Sequence, residues 1–190
     1  MENRMKRIYF DTQFTGLHKD KSLISICFIA DTGEEFYGEF TDFNPNSVTN
    51  WIEINVMSKL FLNPKNQSLS LTKMHVKGNK SEIQQAISEW LSQFNATINK
   101  DEFIAPFIQI WGDSPSWDWV LFTGLFEDCL PLQIIPYPLD VTTLIFIKDL
   151  DINAKRIDLI EGSKILGHYI PNNALSETYV IRLLVEKILR

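Results

Sequence analysis

The chain opens in short apolar runs. Arg7–Phe10 leads into Asp11, Leu23–Ala30 is almost continuously apolar, and Glu35–Phe40 resumes after an Asp31-Thr32-Gly33 turn. Short apolar runs bounded by turn residues predict strands, so three strands are expected here. The period then changes. Val48, Trp51, Ile52 and Val56 recur at helical spacing, which predicts a helix from about Ser47 that stops before Asn63-Pro64. Residues 64–80 are polar and patternless, and a loop is expected. Ser81 and Gln84 resemble a capping box, and Ile83, Ile87, Trp90, Leu91 and Phe94 behind them fall on one helical face.

Phe107–Trp111 predicts a buried strand with Pro106 at its start, where a missing amide is tolerated. Gly112–Ser116 breaks the run, and Trp117–Phe126 has helical character. After the proline-rich connection Pro131–Pro138, Asp140 is placed to cap a helix through Ile147. A last helix is expected from about Asn173 to the C-terminus, with Ile181, Leu184 and Ile188 on the face of Glu177. Strands followed by alternating helix and strand signals predict an α/β fold with a mixed sheet.

Composition narrows what this fold can do. The 190 residues are 45% hydrophobic and 22% charged, which suits one soluble domain with a real core. With 8 Gly and 8 Pro the chain is neither collagenous nor of low complexity. No apolar run approaches a bilayer span, so no membrane partner is expected. The N-terminal segment lacks the apolar stretch of a secretory signal. Cys27 and Cys129 sit in apolar surroundings without a CxxC, which fits a reduced, cytoplasmic setting. The 18 Lys+Arg against 24 Asp+Glu give a net charge of −6, which argues against wrapping long duplexes. A cleft gripping a few nucleotides remains compatible with that charge. GxSxG, Walker-type and GxGxxG motifs are absent, and Gly162-Ser163-Lys164 lacks the strand a phosphate loop needs. His18, His75 and His168 make no zinc spacing with either cysteine.

Some acids stand at element ends. Asp11 closes the first predicted strand, where open α/β sheets place ligands. Asp118 lies about two residues into a helix, and Glu177 sits in the first turn of the last one. Singly, turn chemistry and dipole complementarity account for each. If those ends converge, they form a carboxylate cluster, and clustered carboxylates need cations.

The segments around these acids also carry motifs. Ile8-Tyr9-Phe10-Asp11-Thr12-Gln13-Phe14 resembles an Asp-x-Glu motif after a hydrophobic strand, and Ile110-Trp111-Gly112-Asp113 through Asp118-Trp119-Val120-Leu121 resembles a Trp-Gly strand end followed by an aromatic-Asp helix. Pro138-Leu139-Asp140-Val141-Thr142-Thr143-Leu144 looks like an Asp-x-x-Thr-Leu helix start, and Asn172-Asn173-Ala174-Leu175-Ser176-Glu177-Thr178 is similar to His-Asn-Ala-Leu-x-Asp-Ala. In this order, from about residue 7 to 188, the motifs resemble the DEDDh-type 3′–5′ exonucleases. The best subgroup match is the small exoribonuclease branch of mycobacterial and phage type, and the fold it implies is similar to that of RNase T. The resemblance implies a ribonuclease H-like fold, a mixed central sheet flanked by helices.

It also implies a site. In that family two Mg²⁺ or Mn²⁺ ions, about 4 Å apart, flank the terminal phosphodiester on four carboxylates, and a histidine is the general base. Asp11 and Asp118 match intact positions. Gln13 replaces a glutamate, Glu177 replaces an aspartate with a longer arm, and Asn172 replaces the histidine. The catalytic set is therefore Asp11, Gln13, Asp118, Asn172 and Glu177, with Asp11, Asp118 and Glu177 left for Mg²⁺ or Mn²⁺, as one ion or none. Thr12, Phe14, Trp117 and Trp119 are the implied nucleotide contacts, at most one tryptophan facing the cleft. Lys19 and Lys21 follow in a loop that phosphates could meet, and His168 is a surrogate base if its loop shifts.

Loss of a positioned base costs about 10²–10⁴-fold in rate. The leading expectation is thus a protein that binds single-stranded RNA or DNA 3′ ends, or nucleotides, with hydrolysis impaired or lost. An active metal-dependent exonuclease with a substitute base, and a protein-interaction module keeping only the fold, are the alternatives. A homodimer is implied by resemblance alone.

Overall fold

Alternation along the first strand decides which side of the sheet each residue serves. In the computed structural model, which describes residues 5–62, 74–94, 107–127, 129–160 and 169–190, that strand is β1 (Lys6–Phe14). It pairs antiparallel with β2 (Leu23–Ala30), which pairs antiparallel with β3 (Glu35–Phe40). β4 (Met74–Gly78) lies parallel to β3, β5 (Ile108–Gly112) parallel to β1, and β6 (Leu139–Asp140) parallel to β5. The sheet order is β4-β3-β2-β1-β5-β6, a mixed sheet with both edges made by parallel additions.

The helices are α1 (Asn50–Asn55), α2 (Lys80–Ser92), α3 (Ser116–Thr123), α4 (Val141–Ile147) and α5 (Ala174–Ile188). Ile8 and Phe10 of β1 pack with Ile83, Ile87 and Trp90 of α2 and Phe122 of α3. Tyr9, on the opposite face, packs with Val141 and Ile145 of α4 and Ile181 and Leu184 of α5. β2 is buried at every position because helices cover both faces, which is why its sequence reads as an unbroken apolar run. Each such fully buried aliphatic or aromatic side chain contributes about 1.5–3 kcal/mol against conformational entropy. No helix among the described residues is long and apolar enough to cross a membrane.

Several expectations need correction. The first strand runs on to Phe14, so Asp11 lies within it and not at its end. Met74–Gly78, expected as loop, is a strand: its His-Val-Lys centre carries no apolar run, yet the β3 edge supplies its hydrogen bonds. Residues 63–73 of that stretch lie outside the described residues, as does Pro106. The capping box of α2 is Asn79 with Glu82, not Ser81 with Gln84; Asn79 Oδ1 accepts from the Glu82 amide and Glu82 Oε2 from the Asn79 amide. The first helix starts at Asn50 under a Thr49 cap and ends early, at Asn55. Of its expected apolar face, Ile52 and Val56 are buried, but Trp51 is 58% exposed. Cys27 is buried as expected, whereas Cys129 is exposed. The α4 and α5 starts are where the sequence places them, capped by Asp140 and Asn173.

Candidate active site

The place of Asp11 follows from unequal strand lengths. β5 pairs with β1 only as far as Tyr9↔Trp111, and the chain then leaves the sheet after Gly112 to begin α3. A Cβ at Gly112 would stand 2.7 Å from Pro115 Cβ and 2.9 Å from Phe10 Cε1, so only glycine allows this close exit. Beyond it, β1 keeps going with one edge uncovered. Asp11 is thus mid-strand, yet it sits just past the carboxyl end of its parallel neighbour, where α/β sheets hold ligands.

α3 covers part of that edge. The Thr12 amide donates to Asp118 Oδ1 at 3.1 Å, and the Thr12 hydroxyl donates to the same oxygen at 2.6 Å. Thr12 therefore has its N–H engaged in positioning Asp118. On the opposite face, residues two apart on one strand point the same way, and Gln13 Nε2 donates to Asp11 Oδ2 at 2.9 Å. Glu177 arrives from the first turn of α5. Its Oε1 accepts from the Tyr169 hydroxyl at 2.8 Å and from the Asn172 amide at 3.1 Å. Asn172 has φ 58°, a left-handed conformation that Asn, Asp and His tolerate better than most residues.

The three carboxylates share one field. Burial pushes the Asp11 carboxyl well up, the charges of Asp118 and Glu177 push it further, and the Gln13 amide pulls it down. Burial likewise raises Asp118 against the two Thr12 hydrogen bonds, and raises Glu177 against Tyr169 and Asn172. Among the described residues, partners from other positions gather on a single oxygen of each carboxylate. No group of three or more His, Cys, Asp or Glu side chains among them is placed to hold a metal ion. The arrangement is open, hard in its donors and under mutual repulsion. That fits a cation such as Mg²⁺, which keeps waters and takes one or two carboxylates together with substrate phosphate.

Residues that sequence reasoning missed complete the surroundings. Asp113 adds to the raising field on Asp11, Asp118 and Glu177. Arg156 holds it through Nε at 2.7 Å and Nη2 at 3.2 Å, and the Thr142 hydroxyl donates to it at 2.7 Å. Its signal was its place directly after Gly112. Tyr169 follows His168 in sequence and carried no helical or strand pattern; burial and Glu177 push its phenol up. Lys59 donates to the Pro171 carbonyl at 3.1 Å and lowers Glu177 by its charge. His168 lies outside the described residues.

The expected stacking residues separate cleanly. Trp119 is part-buried, edge-on to Phe10 with centroids 6.4 Å apart and tilted against Phe122 at 5.7 Å. Trp117 is 44% exposed. Phe14 is part-buried at the end of β1. Lys19 is exposed, while Lys21 lies over the Trp117 ring.

Comparison with known proteins agrees with this architecture. No protein-family model matches the chain. The 3′–5′ exoribonucleases of two Mycobacterium tuberculosis strains are 35% identical over 54 residues, which is 28% of this chain and 32% of each relative. The chain thus spans about a third of those relatives' length. Among solved structures, a 3′-exonuclease recognising the histone mRNA stem-loop superposes with TM-score 0.64 at 11% identity, over 98% of this chain and 64% of that one. The nuclease domain of 3′hExo, described as a DEDDh family member bound to rAMP, gives 0.63 at 10% identity, over 99% and 93%. Zinc-bound Escherichia coli exonuclease I with single-stranded DNA gives 0.56 at 13% identity, over 98% and 40%. The chain has the ribonuclease H-like α/β fold of the DEDDh-type 3′–5′ exonucleases.

Proposed function

We propose that this protein binds the 3′ end of single-stranded RNA or DNA, or a nucleotide, over Asp11, Asp118 and Glu177, and hydrolyses it slowly or not at all. The observation that supports this most is that Asp118 of α3 and Glu177 of α5 both bring their charge to bear on buried Asp11, beside the uncovered end of β1. Mg²⁺ or Mn²⁺ held by Asp11, Asp118 and Glu177 would act as a Lewis acid toward the phosphodiester. The chain's own residues then set the limits. Gln13 brings a neutral amide to Asp11 Oδ2 where the resembled family has a carboxylate. The site accordingly has less negative charge to hold a second ion.

Asn172 has no group that takes up a proton at ordinary pH. Its backbone N–H donates to Glu177 Oε1. The Tyr169 hydroxyl, pushed up and already donating to Glu177, is a positioning group and not a base. Binding is tested by fluorescence anisotropy with a labelled single-stranded oligonucleotide, bearing either a 3′-hydroxyl or a blocked 3′ end. Saturable binding that needs the free 3′ end and weakens in Asp11→Ala is expected. Equal binding of both oligonucleotides, or none, would contradict a 3′-end site.

A further inference from the structure

We propose that Lys21 is a movable cover on the Trp117 ring, displaced by the base of a bound nucleotide and then drawn to that ligand's phosphate. This rests on the reading above that the cleft takes a nucleic-acid 3′ end. Lys21 Nζ stands 3.4 Å from the Trp117 ring centroid, well inside the range of a cation–π contact. At that distance nothing else stacks on the same face. Trp117 immediately precedes Asp118 on α3, and it is the indole of that helix turned to solvent, since Trp119 packs on Phe10 and Phe122. The helix that carries Asp118 therefore turns one aromatic face to solvent, and a cation from another element covers it.

That cation has a fixed base and a tip held only by weak contacts. The Thr15 amide donates to the Ser22 carbonyl at 3.0 Å, and the Ser22 amide donates to the Thr15 hydroxyl at 3.0 Å. Both residues are buried, which pins the β1–β2 connection where Lys21 leaves it. Beyond that point, the ammonium donates to the His18 carbonyl at 3.2 Å, an exposed contact. Such a side chain swings without moving the backbone. An exposed cation–π contact is worth roughly 2–5-fold in affinity. Stacking of a base on an aromatic ring is worth roughly 5–150-fold. The base wins, and in this proposal the ammonium it evicts passes to the phosphate attached to that same nucleotide.

The two roles have opposite signs, which makes them separable. Adenosine, which has no phosphate, and a five-nucleotide single-stranded RNA are titrated by NMR against wild type, Lys21→Ala and Trp117→Leu, with Ca²⁺ at a fixed concentration. In Lys21→Ala, adenosine is expected to bind roughly 2–5-fold tighter, because nothing has to be displaced. The RNA is expected to bind no tighter, with the slope of log affinity against log salt smaller by about 0.7, as for one lost phosphate contact on a single strand. Trp117→Leu weakens both ligands. If adenosine binds Lys21→Ala no better than wild type, Lys21 is not a cover. If RNA tightens as much as adenosine, the lysine does not pass to phosphate. Either result overturns the inference and leaves the 3′-end reading standing, whereas failure of wild type to bind either ligand removes both.

Discussion

At Asp11 the sheet holds a carboxylate whose ionisation is opposed by burial and by two like charges, with the Gln13 amide in its favour. A carboxyl raised in the folded state binds its proton more tightly there than in the unfolded chain. Stability from this group is therefore greatest at low pH and falls as pH rises from the ordinary carboxylate range through the raised folded value. Asp11→Asn removes that penalty. In EDTA at pH 7 it is expected to stabilise the fold by about 1 kcal/mol, roughly 2–4 °C in melting temperature. The gain should vanish below the carboxylate range, where wild-type Asp11 is protonated; equal melting at both pH values would contradict it. Gln13→Glu has the opposite sign. It exchanges a donor at 2.9 Å for a second charge on the same strand face, and is expected to cost about 1–3 kcal/mol in thermal melts with EDTA. Added Mn²⁺ should recover that loss, and a variant that Mn²⁺ does not stabilise would argue against a cation between these side chains.

Element ends show how much the caps matter and which of them the chain makes legible. Asn173 Oδ1 accepts from the Ser176 amide at the start of α5, and its Nδ2 donates to the Lys59 carbonyl at 2.8 Å, in a position that is 3% exposed. Asn79 caps α2 at the surface. Removing an N-cap costs about 0.5–2 kcal/mol, so Asn79→Ala should fall near 1 and Asn173→Ala at or above 2, compared by urea unfolding. Equal costs would mean the Lys59 contact contributes nothing. The α4 and α5 starts were readable because Asp140 and Asn173 directly precede apolar helical spacing. β4 was not, since a strand added at a parallel edge owes its structure to β3 and not to its own alternation. Trp51 misled for the related reason that spacing identifies a face but not what covers it. At the site, motif order anticipated that Asp118 and Glu177 would bring their charge to Asp11. Asp113 and Tyr169 were not anticipated, because their roles arise from Arg156, Thr142 and Glu177, which approach only in the fold.

Over the whole molecule, one aromatic cluster ties the sheet to the helices that carry the site. Phe28 lies between Phe10 at 5.9 Å, Phe36 at 6.3 Å, Trp90 at 5.9 Å and Phe122 at 5.2 Å. Phe28→Ala should cost about 3–5 kcal/mol by chemical unfolding, because β2 is buried on both faces and cannot collapse into the void. A cost below 1.5 would show that the cluster repacks. The same rigidity suits a site whose carboxylates come from β1 and from helices on opposite faces of the sheet. Asn172 already has the left-handed backbone that histidine also tolerates, so restoring the base does not require the loop to refold. The most direct measurement is a time course of 5′-labelled single-stranded RNA and DNA in Mg²⁺ and in Mn²⁺. It compares wild type, Asp11→Ala, and the double variant Gln13→Glu/Asn172→His. Shortening from the 3′ end by the double variant about 10²–10⁴-fold faster than wild type, and none by Asp11→Ala, is the expected result. Wild-type shortening as fast as the double variant, and lost in Asp11→Ala, would contradict the account, because the present residues would then catalyse without the missing carboxylate and base.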